Sequence, residues 1–232
     1  MRIRDPASTK RHVSVKSCRV LKLFQSWLSG ISPLRPLMPK PYWPGFAAAD
    51  ACASGTSCGI GGFLQSPHGK VVWFSEVYSH SDFVQLGIDI QADLQRSISS
   101  FETLAQIALL CCTARIFPSH RIPICLRSLS DNSATESGSN KLWSITEPLA
   151  TFLEQLCLTS VSLGVEIDVG HISGQMNYLA DALSRWDQVG TVPHNFSLPD
   201  RIRLPIREIW KVRRSPSVVP ASVQLPWQMP ST

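Results

Sequence analysis

From Gly45 onward the chain alternates short apolar runs with clusters of turn residues, and longer apolar runs follow. GFAAADACA, CGIGGFLQ and KVVWFSEVY are divided by SGTS and SPHG, which predicts a three-stranded antiparallel meander. Residues 79–97 show no firm period and are read as an excursion over one face. A helix is predicted from about Ser99 through Ile116. Phe101, Leu104, Ala105, Ile107, Ala108, Leu109 and Cys112 make it apolar nearly all round, the mark of a deeply packed helix. RIPICLRSLSDN reads as a fourth strand ending in a polar turn, and Glu136 to Asn140 as a loop or helix start. Ile145 to Leu163 is an amphipathic helix with Pro148 in its first turn, where proline is tolerated, and Gly164 ends it. VEIDVGHI is a fifth strand. Asn177 then stands at an N-cap position ahead of Tyr178, Leu179, Ala182 and Leu183 at helical spacing. The order βββαβαβα predicts a mixed α/β layer fold.

The flanks differ in character. Residues 1–12 are polar and basic, VSVKSCRVLKLF (13–24) fits a short strand or helix, and Gly30 to Pro44 holds five prolines and reads as a linker. After Trp186 proline and serine dominate, and roughly the last fifteen residues are expected to be disordered. Charge follows the same division. Residues 1–42 carry nine basic and one acidic residue, residues 43–186 seven and thirteen, and residues 187–232 six and three. An acidic centre between two basic arms suggests contact with a polyanion, with cations needed wherever that centre meets it. The seven cysteines (18, 52, 58, 111, 112, 125 and 157) are odd in number and none pair at zinc-finger spacing. They read as small buried hydrophobes in a reducing compartment, which argues for an intracellular, cytoplasmic or nuclear protein and against a secreted one. The uninterrupted apolar stretches fall short of a membrane span.

Four carboxylates stand at comparable places in the elements. Asp50 lies among alanines in the first strand, where a lone buried charge is costly. Glu102 lies in the first turn of the apolar helix, Asp131 at the end of the fourth strand, and Asp181 in the first turn of the last helix. Each has an ordinary explanation. Asp50 fits an exposed edge, Ser99-x-x-Glu102 a capping box, Asp131-Asn132-Ser133 an Asx turn, and Asp181–Arg185 an i,i+4 ion pair. Together they point elsewhere. The topology makes the first and fourth strands central neighbours, with the first and last helices against one face. Carboxylates converging there would repel one another unless hard divalent cations with oxygen ligands, Mg²⁺ or Mn²⁺, held them.

The segments ADACASGTSCGIGG, SFETLAQIALL, LSDNSAT and HISGQMNYLADALSR carry these residues, and they resemble the ribonuclease H domain of retrotransposon reverse transcriptases. The resemblance spans about residues 45–186. It implies an RNase H-like fold: a five-stranded mixed sheet, three strands antiparallel and then two parallel, flanked by helices. By the same resemblance Asp50, Glu102, Asp131 and Asp181 would bind two Mg²⁺ or Mn²⁺ ions. His171, ten residues before Asp181, would be the mobile loop histidine that aids proton transfer or product release. Ser54, Asn132 and Asn177 would contact substrate or support the ligands. The implied activity is hydrolysis of the RNA strand of RNA–DNA hybrids. VLKLFQSWLSGISPLRPL resembles the end of a reverse transcriptase thumb or connection region, and no Y-x-D-D-like turn is present. The chain is therefore expected to be a fragment of a retroelement polyprotein with three parts: a basic arm and linker (1–44), the RNase H-like domain (45–186) and a largely disordered tail (187–232). A basic handle helix is missing, since Lys141 is the lone cation between Asn140 and Ile145. Phosphate contacts are thus expected from the arms or from a polymerase domain. The rival readings are an inactive RNase H-like binding module or retroelement relic, and another nuclease or transposase on the same fold.

Overall fold

The computed structural model describes residues 17–18, 21, 42–43, 45–66, 68–116, 124–193 and 196–211. The basic residues 1–12, most of the linker and the last fifteen or so residues lie outside that set. Strands β1 (Phe46–Ser54), β2 (Ser57–Gln65) and β3 (Val71–Ser79) form the expected antiparallel meander. The stretch after β3 holds more structure than its pattern suggests. A short helix, α1 (His80–Gln85), starts where the Ser79 backbone N–H donates to Asp82 Oδ2 at 2.8 Å. It drops Phe83 into the core, and Leu94 opens a 3₁₀ turn (Leu94–Ser97) that runs straight into α2 (Ile98–Ile116). Then follow β4 (Ile124–Ser130), α3 (Ser133–Lys141), α4 (Leu149–Leu163), β5 (Val165–His171), α5 (Tyr178–Ser184) and α6 (Ile206–Ile209). Pro148 caps α4 rather than lying inside it, and Gly164 ends that helix with φ 65°. Sequence pattern left Glu136 to Asn140 open between loop and helix. They sit inside α3, whose cap is Asn132.

The sheet order is β3-β2-β1-β4-β5, with β1–β4 and β4–β5 parallel, the five-stranded mixed sheet that the resemblance implied. Its two faces are built from alternate residues of the same strands. Ala47, Ala49 and Ala51 of β1 join Phe101, Leu104 and Ala108 of α2 in the larger core, which α4 closes from outside. Enclosure by sheet and α4 accounts for the apolar character of Leu94–Ile116, a stretch long and apolar enough to cross a membrane yet mostly buried within the protein. Ala48, Phe63 and Trp73 face the other way and meet Ala180 and Leu183 of α5. The helices that carry Glu102 and Asp181, α2 and α5, therefore lie on opposite faces, not on one as expected. Helical and strand periodicity give which residues share a face, but not which face a distant helix will cover.

Glycines in β2 decide how close α5 comes. A Cβ on Gly59 would stand 2.0 Å from the Ser184 carbonyl oxygen, and one on Gly61 2.2 Å from the Ser184 nitrogen. Both obstacles are backbone, so neither can rotate away. Gly61→Ala is expected to push α5 off the sheet and to cost about 1–3 kcal/mol, the usual range for overpacking. Denaturant unfolding measures it, and an unchanged midpoint would show that α5 shifts freely.

Packed chain continues beyond Trp186. Residues 196–211 wrap the β3 edge and join both faces. Phe196 stacks near Phe63 and Trp73, Trp73 Nε1 donates to the Ser197 carbonyl at 2.8 Å, and Ile202 N donates to the Trp73 carbonyl at 2.7 Å. The chain then crosses to the other face, where Leu204, Ile206 and Ile209 are buried in the larger core. Glu76, buried behind them, accepts from Leu204 N at 3.0 Å and faces Arg201 and Arg203 at 3.9 and 3.8 Å. An edge strand with open N–H and C=O groups is a liability, and this strap covers it. Overall proline and serine content concealed the apolar positions of IRLPIREI. At the other end of the domain, Trp43 N donates to the Cys125 carbonyl at 2.8 Å, so the end of the linker is tied to β4.

Candidate metal centre

β1 and β4 run side by side in parallel, so the end of β4 comes beside the second half of β1. Asp50 projects from β1 and Asp131 follows the last residue of β4. Glu102, from the second turn of α2, reaches in from the opposite face of the sheet. Its carboxylate is held between the two strands: Ala51 N donates to Oε1 at 3.3 Å, and Ser130 Oγ donates to Oε2 at 3.4 Å. These bonds exclude the Ser99–Glu102 capping box, since Ser99 is already helical and Glu102 turns to the sheet. Ligand oxygens of Asp50, Glu102 and Asp131 lie within 4.8 Å of one another. Asp50 is 4% and Glu102 3% exposed, while Asp131 stands half-buried at the mouth.

Burial, and after it the crowding of like charges, opposes ionisation of Glu102 and Asp50. Burial pushes the Glu102 carboxyl up to about 9, with the charges of Asp50 and Asp131 adding to it. Burial also raises Asp50 to about 6; the Ser184 hydrogen bond works against this, and Asp131 and Asp181 reinforce it. The group is thus three oxygen donors with too little positive charge among them, a set that suits a hard divalent cation.

The other predicted residues are placed differently. Asp181 is outside the three-carboxylate group and pairs with Arg185 Nε at 2.6 Å, the i,i+4 bridge that spacing alone allows. Its charge still reaches Asp50. His171 is the last residue of β5, exposed and in register with Ser130, so it stands at the strand end rather than in the loop. That loop then passes Asp131 closely: a Cβ on Gly174 would lie 3.0 Å from Asp131 Oδ2. Asn177 occupies the N-cap position of α5 without capping it. Its side chain is buried and its Nδ2 points at Asp50 Oδ1 across a long 3.5 Å. Asn132 spends its Oδ1 on the Ala134 and Thr135 N–H groups, at 3.0 and 3.1 Å, as the cap of α3. Ser54 is exposed at the end of β1, in the hairpin turn.

Sequence reading missed three supporting side chains. Ser130 holds Glu102, and Ser184 Oγ lies 2.7 Å from Asp50 Oδ2. Asn140 clamps α3 to β5, donating to the Val169 carbonyl at 2.8 Å and accepting from its N–H at 2.9 Å. Adjacency to Asp131 and a position three residues after Asp181 were the available signals for the two serines. Asn140 left none.

No protein-family model matches the chain, and no curated protein does. Among solved structures it is similar to the RNase H1 of the halophilic archaeon Halobacterium salinarum NRC-1, at 21% identity and TM-score 0.40, covering 60% of this chain and 93% of that one. It is also similar to LC11-RNase H1, solved in complex with an RNA/DNA hybrid, at 15% identity and TM-score 0.44, covering 60% and 92%. A third is the prototype foamy virus protease-reverse transcriptase, at 15% identity and TM-score 0.37, covering 70% of this chain and 23% of that one.

Proposed function

We propose that the chain is a divalent-metal-dependent endonuclease that hydrolyses the RNA strand of RNA–DNA hybrids, and that it acts as part of a retroelement reverse transcriptase inside the cell, in cytoplasm or nucleus. The observation that carries this reading is the meeting of Asp50, Glu102 and Asp131, from three separate elements, with ligand oxygens within 4.8 Å. Asp50, Glu102 and Asp131 would hold the cations, Mg²⁺ or Mn²⁺, and Asp181 would join them on leaving Arg185. When bound, two such cations supply the charge for in-line phosphodiester hydrolysis, activating a water and stabilising the leaving oxygen. The protein's own part is positional. Ala51 N and Ser130 Oγ aim Glu102. His171, exposed beside the Asp131 end of β4, would carry a proton on its ring nitrogen between the leaving oxygen and solvent. RNA would be told from DNA by its 2′-hydroxyls across the minor groove, without strict sequence preference. The basic arms and a polymerase domain would add phosphate contacts.

Cleavage of end-labelled hybrid in Mg²⁺ or Mn²⁺ tests the reading. Wild type should cut within the RNA strand. Asp131→Asn should lose at least about a hundredfold, since changes to residues that merely support ligands already cost 10–100-fold. Equal rates for the two proteins would remove the metal assignment. One observation favours the rival, a binding module without catalysis: Asp181 is engaged by Arg185 instead of joining the group. Hybrid binding without cleavage by the wild type would establish that rival.

A further inference from the structure

Ser184 stands where the metal centre meets the second face of the sheet. Its backbone is seated directly on β2, opposite Gly59 and Gly61, and its carbonyl accepts from Cys52 Sγ at 3.0 Å, which ties it to β1 as well. The side chain is buried. Oγ has two acceptors in reach, Asp50 Oδ2 at 2.7 Å and the Asp181 carbonyl at 2.9 Å. A hydroxyl carries a single proton, and the carboxylate is the stronger and nearer acceptor. A serine inside a helix ordinarily spends that proton on its own backbone. Here the helix is brought so close to the sheet that the hydroxyl meets a candidate ligand on another element, 134 residues away in the chain. The remaining oxygen of Asp50 has only the long contact to Asn177 Nδ2 within the same surroundings.

We propose that Ser184 is a positioning residue: its hydroxyl, fixed by the seating of α5 on β1 and β2, holds the Asp50 carboxylate in the orientation in which it completes the Asp50–Glu102–Asp131 group for a divalent cation. The inference rests on the metal-centre reading above. One oxygen of Asp50 is engaged by Ser184, which leaves the other to face the cluster. Without the hydroxyl the carboxylate would turn among rotamers, and each cation would have to order it on binding.

The test is calorimetric titration of the full chain with Mn²⁺, for wild type and Ser184→Ala, with the melting temperature of each metal-free protein measured alongside. S184A is expected to bind Mn²⁺ about tenfold more weakly, as loss of a ligand's supporting hydrogen bond does. A role confined to packing would lower the melting temperature and leave the affinity at the wild-type value, and that result overturns the proposal. Should S184A fail to fold, Ser184→Cys fills the site with a slightly larger group that donates only weakly. A several-fold weaker affinity then supports the proposal, and an unchanged one overturns it. A wild type that takes up no Mn²⁺ refutes the metal centre itself, a failure distinguishable from an unaltered S184A.

Discussion

Replacing Glu102 with glutamine is expected to abolish hybrid cleavage and, in the absence of metal, to make the protein more stable at neutral and alkaline pH. The two effects share a cause. Glu102 is enclosed by the apolar helix that carries it and by β1 and β4, and its carboxyl is pushed up from its ordinary 4.5 to about 9. The folded protein therefore keeps a proton there that the unfolded chain gives up above pH 4.5. With fewer protons bound in the unfolded state, stability falls as pH rises. The contribution is fully present below 4.5 and has been lost once pH passes about 9. Asp50 adds a second, narrower slope, from its ordinary 3.8 up to about 6. Metal-free wild type should thus lose stability steadily between about pH 5 and pH 8, and Glu102→Gln should flatten most of that slope, because the amide resembles the protonated acid and does not titrate. Mn²⁺ should restore stability to the wild type most strongly at the alkaline end, where the cation need displace fewer protons. Denaturant unfolding at several pH values, with and without Mn²⁺, measures all three. A wild-type stability that is flat across this range, or a slope above about pH 6 that survives in E102Q, would show that Glu102 is ionised in the folded protein.

The second large effect concerns the C-terminal strap. A chain ending at Trp186 is expected not to fold cooperatively, whereas one ending at residue 211 keeps the strap and should melt in a sharp transition. Removing residues 187–211 takes away Leu204, Ile206 and Ile209, each 8% exposed or less. Burial of side chains of this kind is worth about 1.5–3 kcal/mol apiece. It also strips the donor from buried Glu76, removes the partner of Tyr78, whose hydroxyl donates to the Leu204 carbonyl at 2.6 Å, and opens the β3 edge. The summed loss is comparable to the whole stability of an ordinary domain. Thermal melts followed by circular dichroism distinguish the two truncations. A sharp transition in the 1–186 chain would mean that the strap is decoration.

Much of this protein is written locally. Period-2 runs with tight turns placed the meander, all-round apolarity placed α2, and Gly164 placed the end of α4, because each depends on neighbours a few residues apart. Asp50 and Glu102 could be singled out for a related reason: a charge set in an apolar run is a local contradiction that needs a partner. What local pattern could not carry is where those partners stand. It could not say that α2 and α5 cover opposite faces, so that Glu102 must reach between β1 and β4 to meet Asp50. Nor could it say that a stretch disguised by proline and serine folds back over β3, or that Ser184 comes to rest on Asp50. Those relations link residues fifty or more positions apart. They are set by which surfaces exclude water from one another, and only the folded chain brings such surfaces together.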